Sequence, residues 1–390
     1  MTPAARDAAA ISVLDRWRAG EPAEAALTRW ARGARYAGSS DRAAVRDLVF
    51  AALRRARSAA ALGGGEGGRA LLIGLTRAAG RDLAGWTGEG HAPPPLSPAE
   101  AALLASPPPP EDQLPPAVAG DIPDWLLPEL TASLGDDTGA VLRGLQDRAP
   151  VFLRVHAGRS APDKVIGQLA AEGITAQPHP LSPWALEVTA GARRLKQSQP
   201  FAAGLIELQD AASQAVVAEF AARLQSGSRV LDYCAGGGGK ALALAALGFR
   251  VSAHDADPQR MADLPQRAAR AGARIATLTD PGAGWPAILA DAPCSGSGSW
   301  RRAPEGKWRL TQPGLERLQG LQDRILADCA ARLADGGVLG YATCSLLRAE
   351  NEARISAFLQ AHKGWHCRFS QRWSPLSGGD GFFLAVLERG

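Results

Sequence analysis

Apolar residues recur at helical spacing in the first third of the chain. Between residues 41 and 57 they are Ala44, Val45, Leu48, Val49, Ala52 and Leu53. Positions three and four apart lie on one face of a helix, and Ser40 or Asp41 stands where an N-cap is expected. The pattern therefore predicts a helix whose apolar face packs on a core.

The other face of this predicted helix is basic. It carries five arginines: Arg42, Arg46, Arg54, Arg55 and Arg57. Such a face is most often solvated, and the alternative is that it contacts phosphates. The formal net charge of +4 is compatible with a polyanionic partner but does not require one.

Two further patterns lead to the middle of the chain. Residues 92–116 are rich in proline, which ends helices and central strands, so we expect a surface loop there. Beyond it, residues 151–155 and 185–189 have the pattern of strands, and residues 161–172 that of a helix. These three elements predict a small α+β module.

From residue 201 onward, predicted strands alternate with predicted helices, which favours a mainly parallel sheet covered on both faces. The strands are predicted at residues 229–233, 250–254, 274–278, 287–291, 338–343 and 382–387. The helices are predicted at residues 240–247, 258–271, 312–334 and 350–361. A chain of 390 residues favours two or three domains. We place them at residues 1–148, 149–200 and 201–390.

Composition excludes several classes of protein. Apolar residues make up 46% and charged residues 21%, as in ordinary globular proteins. There is no apolar run of about 18 residues, and Arg6 and Asp7 interrupt the start, so we expect a cytoplasmic protein without a membrane span. The five cysteines include no Cys-x-x-Cys pair, which predicts free thiols and no metal site.

A glycine-rich loop follows the predicted strand at residues 229–233. The segment Cys234-Ala-Gly-Gly-Gly-Gly-Lys240 leads from this strand into a helix, so its backbone can approach a nucleotide-like ligand. Asp255 ends the next strand, where such folds place the acid that binds ribose hydroxyls, although it can instead cap a helix. The loop fits a methyltransferase and a nicotinamide enzyme equally. A magnesium-binding P-loop is excluded, because Ala241 stands where Ser or Thr is needed.

Two later strands each end in a thiol. One segment is Asp291-Ala-Pro-Cys-Ser-Gly-Ser-Gly298, and the other is Ala342-Thr-Cys-Ser345. Ligands of such sheets bind beyond the carboxyl ends of the strands, so Cys294 and Cys344 can share one pocket. The alternative for any single cysteine is a small buried apolar residue.

These segments resemble the RsmB/Sun family of bacterial ribosomal RNA small-subunit cytosine-5 methyltransferases, which is related to the nucleolar NOL/NOP/Sun enzymes. Arg301-Arg-Ala-Pro-Glu-Gly-Lys-Trp308 and Gln209-Asp-Ala-Ala-Ser-Gln214 are similar to the family as well. Residues 40–50 resemble its helical NusB-type RNA-binding domain. The resemblance implies an α/β fold: a Rossmann-like class I methyltransferase domain, a helical NusB-like N-terminal domain and a small α+β linking module.

The resemblance also implies a cofactor, S-adenosylmethionine, and its binding residues. These are the loop residues Cys234, Ala235, Gly236, Gly237, Gly238, Gly239 and Lys240, together with Asp255, Asp280 and Asp291. The chain departs from the family at Ala235-Gly236, where Ala-Pro is usual. It departs again between residues 277 and 285, where Asp280 is the nearest candidate for the acid beside the adenine.

Carbon 5 of cytosine is too weak a nucleophile to take a methyl group until a thiolate adds to carbon 6. By resemblance that nucleophile is Cys344, and Cys294 assists the elimination of the enzyme. Asp291 can hydrogen-bond the ring nitrogen 3 and the amino edge of the base. Lys307 is a further catalytic candidate that can bind phosphate, stack on a base or lower a thiol pKa, and its alternative is a solvated loop.

The sequence thus predicts a monomeric rRNA methyltransferase that acts on single-stranded or looped RNA, 16S rRNA above all. Three alternatives stay open: a tRNA cytosine-5 methyltransferase, a non-catalytic RNA-binding assembly factor with the same fold, and a nicotinamide oxidoreductase. The last would leave Cys294 and Cys344 without a shared purpose.

Overall fold

The computed structural model describes residues 1–110 and 112–390 and separates into two units. The first unit consists of Met1–Thr131, Gly135–Arg148 and Trp300–Arg309. The second consists of Ala132–Leu134, Ala149–Ser299 and Leu310–Gly390. The predicted α+β module lies in the second unit together with the sheet that follows it, and the division of the chain into three domains stays a prediction.

The N-terminal part of the chain is helical. Its helices are α1 (Pro3–Arg18), α2 (Ala23–Gly33), α3 (Ser39–Arg54), α4 (Ala56–Gly63), α5 (Gly68–Ala79), α6 (Pro98–Ala105), α7 (Pro116–Ala119), α8 (Leu127–Leu134) and α9 (Thr138–Leu145). Val45, Val49 and Leu53 of α3 are fully buried, as the helical spacing predicts. Helices α4 and α5 approach each other so closely that a Cβ on Gly74 would lie 1.9 Å from the carbonyl oxygen of Ala59.

Two predictions for this part were wrong in detail. Helix α3 is capped by Gly38, and Asp41 lies inside its first turn, where Oδ2 accepts a hydrogen bond from the Gly38 amide at 3.2 Å. The proline-rich stretch contains helix α6. Ser97 caps it by accepting from the Glu100 amide, and Pro98 takes the first helical position, where no amide donor is needed.

The five arginines that were predicted to form one basic face contact groups within the helical unit. Arg42 Nε donates to the Ala37 carbonyl at 3.1 Å, and buried Arg54 donates to the Arg301 carbonyl at 2.7 Å. The other three form ion pairs: Arg46 with Glu24 (2.5 Å), Arg55 with Asp147 (3.2 Å) and Arg57 with Asp124 (2.8 Å). Structural contacts therefore occupy much of this face.

The second unit begins with a small antiparallel sheet in the order β2-β3-β1-β4. Its strands are β1 (Val151–Val155), β2 (Thr175–Pro178), β3 (Ala185–Ala190) and β4 (Ile206–Leu208), accompanied by α10 (Pro162–Ala171) and α11 (Gln199–Ala202). The predicted strands at β1 and β3 and the predicted helix at α10 are confirmed. Strands β2 and β4 are too short, at four and three residues, to show an alternating pattern in the sequence.

A seven-stranded sheet follows, in the order β10-β11-β9-β8-β5-β6-β7. Its strands are β5 (Arg229–Asp232), β6 (Arg250–His254), β7 (Ala276–Leu278), β8 (Trp285–Asp291), β9 (Leu333–Thr343), β10 (Trp365–Trp373) and β11 (Phe382–Arg389). Strands β5 to β9 pair in parallel, whereas β11 is antiparallel to β9 and to β10. The predicted mainly parallel sheet is confirmed, and the edge strand β10 was missed.

Helices cover both faces of this sheet. They are α12 (Ala211–Ala221), α13 (Gly239–Ala246), α14 (Leu264–Ala271), α16 (Gln312–Arg332) and α17 (Glu352–Ala361), while α15 (Glu305–Arg309) belongs to the helical unit. Neighbouring residues of strand β5 belong to the apolar cores on opposite faces of the sheet. Val230 packs with Phe220 of α12, whereas Leu231 packs with Leu326 of α16. None of the helices in the described residues is long and apolar enough to cross a membrane.

The order of the strands creates one point at which the direction of winding reverses. From β5 the chain proceeds outward through β6 and β7, and it then returns to place β8 on the other side of β5. In open α/β sheets, ligands bind beyond the carboxyl ends of the strands at such a point. The crevice between the ends of β5 and β8 is therefore where a site is expected.

Candidate functional site

Chemically active side chains cluster at the carboxyl edge of the large sheet. Asp232 is the last residue of β5 and Asp291 the last of β8, while Asp255 follows β6 and Cys344 follows β9. Because these four strands run parallel, their ends lie on one side of the sheet. The fold thus brings together acids and a thiol that are far apart in the sequence.

The two predicted thiols meet at this edge. The Sγ atoms of Cys294 and Cys344 lie 3.5 Å apart, within hydrogen-bonding distance for sulfur. Backbone bonds join their loops, since the Gly298 amide donates to the Cys344 carbonyl at 2.9 Å and the Ala292 amide donates to the Ala342 carbonyl at 2.8 Å. Both cysteines are half-buried, and neither forms a disulfide.

The surroundings favour a protonated thiol at Cys294. Its hydrogen bond with Cys344 and its burial raise the pKa of the Cys294 thiol well above the ordinary value, and the Glu350 carboxylate adds to the effect. A protonated Cys294 can therefore donate the hydrogen bond in this contact between the two sulfurs.

A buried ion pair lies beside the thiols. Lys240 extends from the first turn of α13, and its Nζ lies 2.5 Å from Oδ2 of Asp291. Burial opposes the charge of the ammonium, but the Asp291 carboxylate outweighs it, so the pKa of Lys240 lies above its ordinary value. Lys240 therefore gives the site a permanent positive charge.

Asp232 is a buried carboxylate, and both of its oxygens lack a hydrogen-bond partner among the described residues. Burial raises its pKa to about 7, and the nearby charge of Asp291 acts in the same direction. A buried acid without donors is costly, and such groups occur where a ligand completes the site. A cationic group of a ligand would satisfy Asp232.

The glycine-rich loop takes a conformation that demands glycine. Gly236 and Gly238 have φ angles of +49° and +78°, and a Cβ on Gly238 would lie 2.2 Å from Cδ1 of Leu264. The Gly236 amide donates to Oδ2 of Asp255 at 2.9 Å, which ties the loop to the end of β6. Gly236 can meet this φ more easily than the proline that is usual in the resembled family, because proline is restricted to negative φ.

Asp255 keeps acceptor capacity after its protein contacts. Oδ2 accepts from Gly236, and Oδ1 accepts from the Asp257 amide at 3.0 Å. Each carboxylate oxygen has two lone pairs, so Oδ1 retains one for a hydroxyl group, whereas Oδ2 also lies 3.3 Å from a nitrogen of Arg260. The side chain is 3% exposed.

Comparison with known proteins is consistent across sequence and fold. Residues 220–387 match the family model described as 16S rRNA methyltransferase RsmB/F, and residues 122–193 match the ferredoxin-like domain of these methyltransferases. The ribosomal RNA small subunit methyltransferase B of Xanthomonas campestris pv. campestris is 36% identical over 307 residues, which cover 70% of this chain and 68% of that protein. The chain belongs to the RsmB/F methyltransferase family.

Two further relatives agree with this assignment. The ribosomal RNA small subunit methyltransferase B of Xylella fastidiosa is 34% identical over 297 residues, covering 70% of each chain. A solved methyltransferase homologue from Pyrococcus horikoshii has the same fold, with a TM-score of 0.61 and 22% identity over 70% of this chain and 98% of that one. The predicted Rossmann-like fold, the methyltransferase activity and the S-adenosylmethionine cofactor are thereby confirmed.

Two predicted site residues of this RsmB/F protein, Lys307 and Asp280, have other surroundings. Lys307 is buried in the helical unit, where Nζ donates to the Arg54 carbonyl at 2.7 Å and satisfies the end of α3. Burial lowers the pKa of Lys307 to about 7. Asp280 lies in an exposed turn, where its side chain is 86% exposed. Their predicted roles in catalysis and in adenine binding stay predictions.

Two other residues predicted to bind the cofactor lie in the glycine-rich loop. Ala235 is buried, and its amide donates to the His254 carbonyl at 2.9 Å. Cys234 is half-buried, and burial raises the pKa of its thiol. Their role in cofactor binding stays a prediction.

Sequence reasoning missed three polar residues of this region: Asp232, Gln322 and Glu350. Asp232 had a usable signal, since it is a carboxylate at the end of a buried strand beside a glycine-rich loop. Gln322 and Glu350 are fully buried; Gln322 lies in α16, and Glu350 lies in the turn before α17, a few residues after Cys344. Only the folded chain shows that they contact the thiol-bearing loops.

Proposed function

We propose that this protein methylates carbon 5 of a cytosine in 16S rRNA and that the reaction passes through a covalent adduct between Cys344 and the base. The observation that carries the proposal is the 3.5 Å approach of Cys294 and Cys344 beside Asp291. A methyltransferase that modifies an oxygen or a nitrogen needs no thiol, whereas C5 of cytosine requires a nucleophile at C6. The names of the relatives, which refer to the small ribosomal subunit, support the choice of RNA.

Cys344 takes the role of the nucleophile. Its thiolate adds to C6, and the electron pair of the C5–C6 double bond moves so that C5 becomes nucleophilic. S-adenosylmethionine supplies the methyl group that C5 then takes. A base removes the proton from C5, the double bond re-forms, and the bond between C6 and the Cys344 sulfur breaks.

Cys294 suits the second half of the reaction. Its raised pKa keeps it protonated while Cys344 attacks, so it serves first as a hydrogen-bond donor to the Cys344 sulfur. The same contact places it next to the C6–sulfur bond that must break. This geometry supports the order of roles that the family resemblance implies.

Asp291 and Lys240 hold the base. Oδ2 of Asp291 accepts from the Lys240 ammonium, which leaves Oδ1 to accept from the 4-amino group of the cytosine. The Lys240 ammonium adds a fixed positive charge where the ring gains electron density during thiolate addition. Such preorganised charge stabilises a transition state without rearrangement of the site.

The residues at the ends of β5 and β6 fit S-adenosylmethionine. Asp255 would receive the ribose hydroxyls, since Oδ1 retains a lone pair after its contact with the Asp257 amide. Asp232 would receive the ammonium group of the methionine part, which gives its unpartnered carboxylate a cation. The loop from Gly236 to Gly239 leaves backbone space beside the N-terminus of α13.

The proposal is tested by bisulfite sequencing of 16S rRNA and of tRNA from cells with and without the gene. We expect one cytosine of 16S rRNA to lose its methylation in cells without the gene, and we expect the wild-type gene to restore it. The Cys344→Ala gene should restore nothing. Loss of a tRNA signal alone, or restoration by Cys344→Ala, would contradict the proposal.

A further inference from the structure

Glu350 is a fully buried carboxylate in the turn before α17. Oε1 accepts hydrogen bonds from the Ser295 amide at 2.8 Å and from Gln322 Nε2 at 3.0 Å. Oε2 accepts from the hydroxyls of Ser295 and Ser345, both at 2.5 Å. All four donors are neutral groups, so each of these contacts is a hydrogen bond between the carboxylate and an uncharged donor.

The two serines are the residues that directly follow the two thiols. Ser295 follows Cys294 on the loop after β8, and Ser345 follows Cys344 on the loop after β9. One oxygen atom, Oε2 of Glu350, thus binds both loops at equivalent positions. The thiols, 3.5 Å apart, lie one residue away from this shared acceptor.

The neighbours of Glu350 complete the attachment. Gln322 of α16 also donates to the Pro293 carbonyl at 2.9 Å, so Cys294 is held on both sides in the sequence. Asn351 donates to the Ser345 carbonyl at 2.9 Å and accepts from the Thr343 hydroxyl at 2.5 Å, so Cys344 is held on both sides as well. Helix α16 and the turn before α17 therefore fix the two loops through side chains.

We propose that Glu350 is a positioning residue that sets the distance between Cys294 and Cys344 through the serine that follows each of them. The inference rests on the proposed function, in which both thiols act on one base. A buried carboxylate that loses a donor is left with an uncompensated charge, so neither loop can move away without a large cost. A carboxylate is suited to this task because its two oxygens accept about four hydrogen bonds.

Accurate spacing matters because one thiol must reach C6 while the other lies beside the same C6–sulfur bond. A displacement of about 1 Å at a reacting centre can cost roughly a hundredfold in rate. Glu350 does not need to touch the RNA or the cofactor to have this effect. Its loss should change the rate of the chemical step and leave the binding of both substrates unchanged.

Glu350→Gln is the informative variant, because it keeps the shape of the side chain and removes the charge. The matched control is Asp121→Asn in the helical unit. Asp121 is also fully buried and accepts from the Arg57 and Ser58 amides, each at 2.9 Å, and from the Ser58 hydroxyl at 2.7 Å. Each variant weakens a buried carboxylate that accepts hydrogen bonds from serine and backbone donors. Only the Glu350 carboxylate joins the two thiol-bearing loops.

Two rates are measured on wild type and both variants, well below their melting temperatures. The first is the rate at which diamide oxidises Cys294 and Cys344 to a disulfide. Diamide takes up the two electrons and two protons that the thiols release. Peptide mass spectrometry measures the disulfide. The second is single-turnover methylation at saturating RNA and S-adenosylmethionine. In Glu350→Gln we expect both rates to fall, methylation by about 10- to 100-fold, with the affinity for S-adenosylmethionine unchanged. In Asp121→Asn both rates should equal those of wild type.

The inference is overturned if Glu350→Gln loses stability like the control but keeps both wild-type rates. If wild type itself fails to methylate rRNA, the proposed function fails, and the disulfide rate alone still decides whether Glu350 positions the thiols. Should Glu350→Gln not fold, Ser295→Ala and Ser345→Ala replace it, since each removes one hydroxyl donor to Oε2. A slower disulfide rate in both supports the inference, and wild-type rates in both overturn it.

Discussion

The sulfur atoms of Cys294 and Cys344 lie 3.5 Å apart, although 50 residues separate them in the chain. Their proximity follows from the parallel pairing of β8 with β9, in which Asp291 is opposite Ala342. Each thiol lies a few residues beyond this pair, at the same edge of the sheet. The pairing of two strands therefore brings both thiols to one edge of the sheet.

The first prediction separates the proposed roles of the two thiols. Cys344→Ala should abolish methylation and form no covalent complex with RNA, because without its thiolate C5 never becomes nucleophilic. Cys294→Ala should still attack the base, but the adduct should persist and migrate as a slower band on a denaturing gel. Cys329→Ala is the control, since Cys329 is fully buried among apolar side chains and should release RNA normally.

The gel can also reverse the assignment of roles. A trapped band for Cys344→Ala and none for Cys294→Ala would exchange the two thiols. Bands for neither variant, together with wild-type methylation in both, would remove the covalent step from the mechanism.

The second prediction concerns Asp255 and the cofactor. Asp255→Ala should weaken S-adenosylmethionine binding by about tenfold to more than a hundredfold, because a charge-assisted hydrogen bond contributes roughly 1.5–3 kcal/mol. Isothermal titration calorimetry measures the affinity. Asp263→Ala is the control, since Asp263 is an exposed acid directly before α14. Equal affinities in the two variants would refute the role of Asp255.

The third prediction is a pH dependence that arises from Asp232. Its pKa is about 7 in the folded protein against an ordinary value of 3.8, so between these values the folded state holds a proton that the unfolded state releases. The free energy of unfolding therefore falls as the pH rises through this window. Each unit of pKa difference corresponds to about 1.4 kcal/mol, so several kcal/mol is the upper limit.

Asp232→Asn removes the titration, so its stability relative to wild type should rise between pH 5 and pH 8. Urea unfolding of both proteins without cofactor at the two pH values measures the difference. Asp263→Asn should show no such change, because its side chain is exposed. A difference between Asp232→Asn and wild type that is the same at both pH values would contradict the prediction.

The fourth prediction tests whether the helical unit binds RNA, as its NusB-type resemblance implies. Deleting residues 1–148 is unsuitable, because Lys307 and Trp308 donate to the last carbonyls of α3 and would lose these acceptors. The double variant Arg42→Ala, Arg46→Ala is milder. It should weaken RNA binding and flatten its dependence on salt by about 0.7 to 0.9 in log–log slope for each phosphate contact that is lost.

Filter binding at several salt concentrations measures this slope. Arg368→Ala is the control, because Arg368 is an exposed arginine on β10 that pairs with Glu388 at 2.7 Å. If the double variant keeps the wild-type slope and affinity, the basic face of α3 serves only the ion pairs and hydrogen bonds seen in the helical unit.

Local sequence patterns determined much of the fold. The buried strands β5 and β8 contain short apolar runs, because both faces of a parallel sheet are covered. The helix at α3 follows from its apolar spacing, and the glycine-rich loop follows from the need for positive φ at Gly236 and Gly238. Strands β2, β4 and β10 were missed because short or edge strands have little or no continuous apolar pattern.

The sequence by itself also determined the chemistry of the site, since the segments that carry Cys294, Cys344, Asp291 and Asp255 contain their reactive groups whatever their arrangement. Only the tertiary structure decided which groups meet. It paired Lys240 with Asp291, left the buried Asp232 carboxylate without a hydrogen-bond partner among the described residues, and placed Glu350 between the two thiol-bearing loops. Most of these contacts join residues that are distant in the chain, because they depend on the order of strands in the sheet and on burial, and such contacts leave no local pattern in the sequence.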